Sequence, residues 1–445
     1  MIRASDFGKD FNWGVATAAA QIEGAADVYG KGPSIWDTFT KRSGKIKNGH
    51  RLDLACDFYH RYREDISLVK ILGFSVFRFS ISWSRIFPEG RSAVNWEGVR
   101  FYHNLIDECL MQGVIPYITL YHWDLPEVLE EQGGWTAFSI NTAFNEFVQF
   151  CATQYGDKVK NWIVLNEPFG FTSLGYMLGI HAPGKTGLTN FFSAVQHAAI
   201  AQADGGRILR AEVSNANIGT TFSCSEIIPY TDKDADVLAA KRVDCLVNRL
   251  FVEPTLGLGF PEMDWDVMER FAVQHSTWRH KERLKFDFDF IGLQNYFPLT
   301  IRYNAFVPVI QAWEVKAKSR KRPHTFMGWE VNGESFYRVI KQFAGYSGIK
   351  EIVITENGAA YAGHLLDGEV VDNDRIAYFE EYLSAVLKAK QEGVRITGYM
   401  AWTLIDNFEW AEGFNARFGL VYNDFKTQRR TIKKSGLWFR DFLER

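Results

Sequence analysis

The chain has no cysteine framework. Its five cysteines, Cys56, Cys109, Cys151, Cys224 and Cys245, are odd in number and scattered, with no Cys-x-x-Cys pair. This argues against a disulfide-stapled scaffold and fits a reducing compartment. No apolar run is long enough to span a bilayer. The opening Met-Ile-Arg-Ala-Ser-Asp-Phe-Gly-Lys-Asp lacks the apolar stretch and cleavage site of a signal peptide. A cytoplasmic location away from membranes is therefore expected. Charge of one sign is also missing, since the formal net charge is −3. No global field draws the chain to nucleic acid or an anionic membrane. The ten histidines offer no His-x-x-x-His pair with an intervening glutamate, so no metal site and no cofactor are expected. No Pro/Ser/Gly-rich linker or low-complexity segment divides the sequence.

Aromatic residues are abundant, with 14 Trp, 18 Tyr and 36 Phe among 445 residues. Most must serve a large core. The remainder are flat apolar surfaces suited to a ligand such as a sugar ring face. Strand-like runs alternate with helical stretches: Phe11–Thr17, Val76–Trp83, Ile115–Trp123, Trp162–Glu167, Asn217–Cys224, Phe290–Phe297, Glu351–Glu356 and Ile396–Leu404. Val99, Tyr102, Leu105, Ile106 and Cys109 share a helix face that ends near Gly113. Ile376, Phe379, Leu383, Val386 and Leu387 do the same between caps at Asp372 to Asp374 and a stop at Gly393.

Alternation of this kind implies a parallel sheet, and eight repeats suggest an α/β fold closed as a single (β/α)8 TIM barrel over residues 1–445. An open doubly wound sheet is the alternative. It would want a Gly-rich phosphate turn early, and Gly14-Val-Ala-Thr-Ala-Ala is a poor one. The length beyond a minimal barrel sits mainly in Ala18–Ser75, Ser225–Asp289 and Pro298–Lys350. These segments predict long βα loops around a deep pocket at the C-terminal mouth.

Two apolar runs end in an acid. Trp162-Ile-Val-Leu-Asn-Glu-Pro168 ends at Glu167, and Glu351-Ile-Val-Ile-Thr-Glu-Asn-Gly358 at Glu356. Pro168 and Asn357-Gly358 stop the strands directly after them. Barrel order puts both carboxyls on one face, where such folds carry their chemistry. Either glutamate alone could be a surface residue after a strand. Two together fit acid/base and nucleophile work on one bond.

The motifs extend this reading. Phe11-Asn-Trp-Gly-Val-Ala-Thr17, Gln21-Ile-Glu-Gly24, Ser34-Ile-Trp-Asp-Thr-Phe39 and Arg78-Phe-Ser-Ile-Ser-Trp-Ser-Arg85 come first. Thr119-Leu-Tyr-His-Trp-Asp-Leu-Pro126, Asn166-Glu-Pro168, Ala182-Pro-Gly184, Met327-Gly-Trp329, Thr355-Glu-Asn-Gly358 and Asp406-Asn-Phe-Glu-Trp410 follow. In this order the chain resembles glycoside hydrolase family 1, the β-glucosidase family, along essentially its whole length. The resemblance implies a retaining β-glycosidase acting on small β-glucosides, with Glu356 as nucleophile and Glu167 as acid/base. It implies that Arg78 and Tyr296 support the nucleophile. Gln21, His122, Asn166 and Glu409 would bind hydroxyls, Trp402 would stack on the sugar, and Trp410 would donate its indole N–H. Trp123 would line the same site, and Trp329 would be a platform on the aglycone side. Phe418 lies near the site in the family.

Several residues depart from the family pattern. Gln294 stands where asparagine is common, Val164-Leu165 replaces Thr-Phe, Thr403 replaces serine after Trp402, and Asn332-Gly333 replaces a usual proline. The last bears on leaving-group preference. A 6-phospho-β-glycosidase is a rival, but such enzymes lack an acid matching Glu409, and Asn415-Ala-Arg-Phe418 does not supply their phosphate pocket. A thioglucosidase would commonly carry glutamine at the acid/base. A transglycosylating enzyme would use the same residues, whereas a non-catalytic sugar-binding relative would lose one glutamate. The basic run Lys316-Ala-Lys-Ser-Arg-Lys-Arg322 reads as a solvated loop.

Overall fold

The computed structural model describes residues 2–263, 265–268, 281–363 and 365–444. Eight parallel strands form a closed barrel. They are β1 (Asn12–Ala16), β2 (Val76–Ser80), β3 (Ile115–Tyr121) and β4 (Asn161–Asn166), then β5 (Asn217–Ser223), β6 (Phe290–Gln294), β7 (Ile352–Asn357) and β8 (Ile396–Trp402). Each strand pairs with its neighbours in sequence, and β1 closes the ring on β8 through Asn12↔Gly398 to Ala16↔Trp402. The eight runs read from sequence are these strands, and the open-sheet alternative falls because β1 has a partner on both sides.

Helices run back between the strands: α1 (Phe58–Ile71), α2 (Trp96–Met111), α3 (Ser139–Tyr155), α4 (Leu188–Glu212), α5 (Asp234–Asp244), α6 (Gly333–Ala344), α7 (Asn373–Gln391) and α8 (Lys434–Leu443). The expected helix faces fall in α2 and α7. Asp372 occupies the N-cap of α7 but makes no cap hydrogen bond. Its carboxylate accepts instead from Ser435 and from Arg375 Nε, which ties α8 to α7.

Period-two alternation separates two packed layers. Val76, Tyr117, Ile163, Phe290, Val353 and Met400 meet inside the barrel. Their neighbours Phe77, Ile118, Trp162, Ile291, Ile354 and Tyr399 join the larger core that packs the helices. In β2 the same alternation turns Arg78 inward between Phe77 and Phe79. The β4–β5 ladder slips between Ile163 and Asn166, and β7 slips against both neighbours after Ile354. Irregularities of this type re-aim side chains beside active sites. Both lie at the C-terminal ends of the strands that carry Glu167 and Glu356.

The long βα segments contribute short elements at this mouth. One is a small sheet of Ile227–Pro229, Leu299–Tyr303 and Ala312–Glu314, and another is the hairpin Val421–Asn423 with Arg430–Ile432. Within the long segment Ser225–Asp289, residues 264 and 269–280 lie outside the described residues. The basic run is mostly exposed, and its Arg320 pairs with Glu330, next to Trp329. Among the described residues no helix is long and apolar enough to cross a membrane.

Candidate active site

A cavity of about 520 Å³ opens at the C-terminal mouth, a size suited to a small organic ligand. His122, Trp123, Asn166, Glu167, Tyr296, Trp329, Glu356, Trp402, Glu409, Trp410 and Phe418 all line it. Arg78 lies beneath Glu356 and is fully buried. Gln21 is also fully buried, behind the wall, where its Nε2 donates to the Phe408 carbonyl at 2.8 Å. Gln21 Oε1 has no protein partner.

Glu356 is held from three directions. Arg78 Nη1 donates to its Oε1 at 2.6 Å, Gln294 Nε2 to the same oxygen at 2.9 Å, and the Tyr296 hydroxyl to Oε2 at 2.7 Å. Asn357, the next residue, points away from the cavity. Its Nδ2 donates to the Asn295 carbonyl at 2.6 Å and to the Tyr378 hydroxyl of α7 at 2.9 Å. The turn beyond is tight, because a Cβ at Gly358 would lie 1.9 Å from the Trp402 carbonyl oxygen. Only glycine lets these two strand ends approach so closely.

Glu167 is held through its backbone. Its N–H donates to the Thr221 carbonyl of β5 at 3.1 Å, and Pro168 starts the next helix directly after it. Carboxyl oxygen Oε1 has no hydrogen-bond partner. Glu167, Trp123 and Trp410 have φ of 42°, 80° and 45°. Such left-handed conformations cost non-glycine residues about 1–3 kcal/mol each and cluster at working sites.

Asn166 ties the two acids together. Its Oδ1 accepts from Arg78 Nη2, from Gln294 Nε2 at 2.8 Å and from the Thr221 hydroxyl at 3.1 Å. Its Nδ2 therefore donates to His122 Nε2, at 3.0 Å. Burial first, and then the charge of Arg78, keeps His122 neutral. Its proton then sits on Nδ1, which has no protein partner. Sequence reading named Gln294 only as a departure and missed Thr221. Polar residues near the C-terminal end of a buried strand are the signal that marks both.

The carboxyls differ electrostatically. Burial raises Glu356, and Arg78, Tyr296 and Gln294 oppose that rise. Glu167 is pushed well above the carboxylate range by burial first and then by the charge of Glu356, with Arg78 and Ser223 opposing. Burial and then Glu356 push Glu409 up to about 8, against hydrogen bonds from Trp402 and Gln21. Glu356 is thus the acid best supported as an anion, and Glu167 the one best kept protonated. Among the described residues no group of three or more His, Cys, Asp or Glu is placed to hold a metal ion.

A parallel (β/α)8 barrel with two unequal carboxyls among indole rings and amide donors defines a class: an enzyme that cleaves glycosidic bonds. Comparison with known proteins supplies the family. The family model described as glycosyl hydrolase family 1 matches residues 3–445. A relative named beta-glucosidase A, from Thermotoga maritima, is 39% identical over 98% of each chain. A 1,4-beta-D-glucan glucohydrolase from Thermotoga neapolitana is 38% identical over 98% of each. The solved structure of the Thermotoga maritima beta-glucosidase in complex with glucoimidazole superposes with a TM-score of 0.93, at 39% identity over 98% of each chain. The chain belongs to glycosyl hydrolase family 1 and is a retaining glycoside hydrolase.

Proposed function

We propose that the protein is a retaining β-glucosidase that releases terminal non-reducing β-D-glucosyl residues, with Glu356 as nucleophile and Glu167 as acid/base. The unequal support of the two carboxyls carries this reading: three donors hold Glu356, while Glu167 keeps an oxygen with no donor. Glu356 attacks the anomeric carbon while Glu167 protonates the departing glycosidic oxygen. Glu167, now ionised, takes a proton from water, whose oxygen displaces Glu356 and restores the configuration. Arg78 and Tyr296 steady Glu356 between these steps.

Sugar recognition follows from the spare polar groups. One Asn166 Nδ2 proton is free for the 2-hydroxyl, where bonds that tighten in the transition state add rate. His122 Nδ1–H and the Glu409 carboxyl face further hydroxyls, and Gln21 acts through its bonds to the Glu409 loop. Trp402 carries the apolar sugar face, and Trp123 and Trp410 close the wall. Arg417 is occupied by Asp406 at 2.8 Å and Lys433 by the same carboxylate at 2.6 Å, so neither cation is free for a 6-phosphate. The preferred sugar is therefore neutral. The 1–445 chain works as one catalytic domain. Its five free, buried cysteines fit a reducing cytoplasm.

The test is chemical rescue. Glu356→Ala is expected to reduce turnover of an aryl β-glucoside by about 10⁴-fold or more. Azide should restore turnover and yield the α-glucosyl azide. A β-azide product would reverse the two assignments.

A further inference from the structure

Beyond Glu167 the cavity changes character. Phe169, Leu174, Ile180, Val247, Leu299 and Trp329 form its outer wall. Phe297 stacks on Trp329, with ring centroids 4.7 Å apart and planes 16° from parallel. Two hydroxyls interspersed here are turned onto the protein. The Ser173 hydroxyl donates to the Phe169 carbonyl at 2.6 Å, and the Ser225 hydroxyl to the Phe297 carbonyl at 2.9 Å. Glu412 pairs with Lys47 at 2.7 Å. Burial holds His181 neutral, and its Nδ1 has no protein partner.

The wall is also rigidly backed. Val247 lies in a π-helical turn, Cys245–Arg249, that continues α5. Asn248 beside it donates through Nδ2 to the Ser225 carbonyl at 2.8 Å and accepts from Ser225 N–H at 3.1 Å. Turns of this kind recur where a helix is locally adapted to a site. Here the turn fixes an apolar side chain against the position of a leaving group.

A second pyranose placed there would bring a rim of hydroxyls. Each would need a partner or would lose its water bonds without replacement. An alkyl or aryl group has no such requirement and gains by covering apolar surface. We propose that the outer end selects β-glucosides with an apolar alkyl or aryl leaving group over those whose leaving group is another sugar. The proposal rests on the β-glucosidase reading of the deep end.

The experiment compares kcat/KM for β-glucosyl fluoride, methyl β-glucoside, n-octyl β-glucoside below its micelle concentration, and cellobiose. The fluoride has no aglycone and reports the deep end alone. The other three leave as alcohols, so chain length and polarity dominate their differences. The octyl glucoside is expected to exceed both methyl glucoside and cellobiose by about tenfold or more. Val247→Asn, and separately Leu299→Asn, should lower the octyl-to-fluoride ratio by about fivefold or more. Fluoride turnover confirms that each variant is folded. Turnover of the fluoride with cellobiose matching or exceeding the octyl glucoside would overturn the aglycone proposal alone. No turnover of the fluoride by the unmodified enzyme would bring down both readings.

Discussion

The deep end of the cavity and its outer end are built by different forces. At the deep end, position is set by directed hydrogen bonds: Asn166 Oδ1 accepts three, and Glu356 accepts three. At the outer end, position is set by packed rings and aliphatic groups, and the Ser173 and Ser225 hydroxyls donate to the Phe169 and Phe297 carbonyls. Hydrogen bonds are steep in angle and distance, so one lost partner displaces a reacting atom. Apolar contacts are shallow and additive, so one lost side chain weakens binding without misplacing the chemistry. Substitutions at the deep end should therefore act on kcat, and those at the outer end on leaving-group preference.

Arg78 is the strongest place to break this contrast after Glu356 itself. Its guanidinium binds Glu356, Asn166, the Thr119 hydroxyl and the Thr355 carbonyl. Removing one partner of such a buried pair costs about 3–5 kcal/mol. Arg78→Met should lower kcat by roughly 10³-fold while the fold persists by near-UV circular dichroism. A fall of less than tenfold in a folded variant would reduce Arg78 to packing.

Glu167→Ala sharpens the contrast. Alkyl glucosides, which need a proton on departure, should lose about 10³-fold, and dinitrophenyl glucosides much less. The variant should also lose the alkaline limb of the pH–rate profile. Turnover needs Glu356 ionised and Glu167 protonated, and the raised Glu167 controls the high-pH side. An unchanged alkaline limb in the variant would assign that limb to another group.

The smallest effect expected is on stability, at Glu409. Its carboxyl is held near 8 in the fold, against about 4.3 in an unfolded chain. The folded state keeps a proton that the unfolded state has released. That contribution is complete below about pH 4 and is lost as pH rises toward 8. Glu409→Gln removes the loss, so its Tm relative to the parent should be higher at pH 8 than at pH 5, by about 1–3 °C. An equal difference at both values would show that Glu409 does not retain the proton.

Much of this was legible in the chain. The strand runs, the order of the barrel and the placing of Glu167 and Glu356 at strand ends on one face follow from apolar patterning, from Pro168 and Asn357-Gly358, and from motif order. Gln21 was expected to bind a hydroxyl, but its burial behind the wall was not legible. The bridge made by Gln294 was not legible either. Its reach to both Asn166 and Glu356 depends on how β4, β6 and β7 are staggered, and stagger belongs to the closed barrel. The outer wall was equally hidden, since Ile180, Val247 and Leu299 come from three separate segments between barrel strands.

The sequence by itself determined which groups exist and which strand ends present them. Strict alternation from Val353 would make Thr355 and Asn357 face the interior and turn Glu356 out, and alternation from Ile163 would turn Asn166 out as well. The slips in β4 and β7 reverse both, so that Asn166 and Glu356 meet at Arg78 and Asn357 turns out to Tyr378. Only the tertiary structure decided this, because register within a sheet is set by the neighbouring strands.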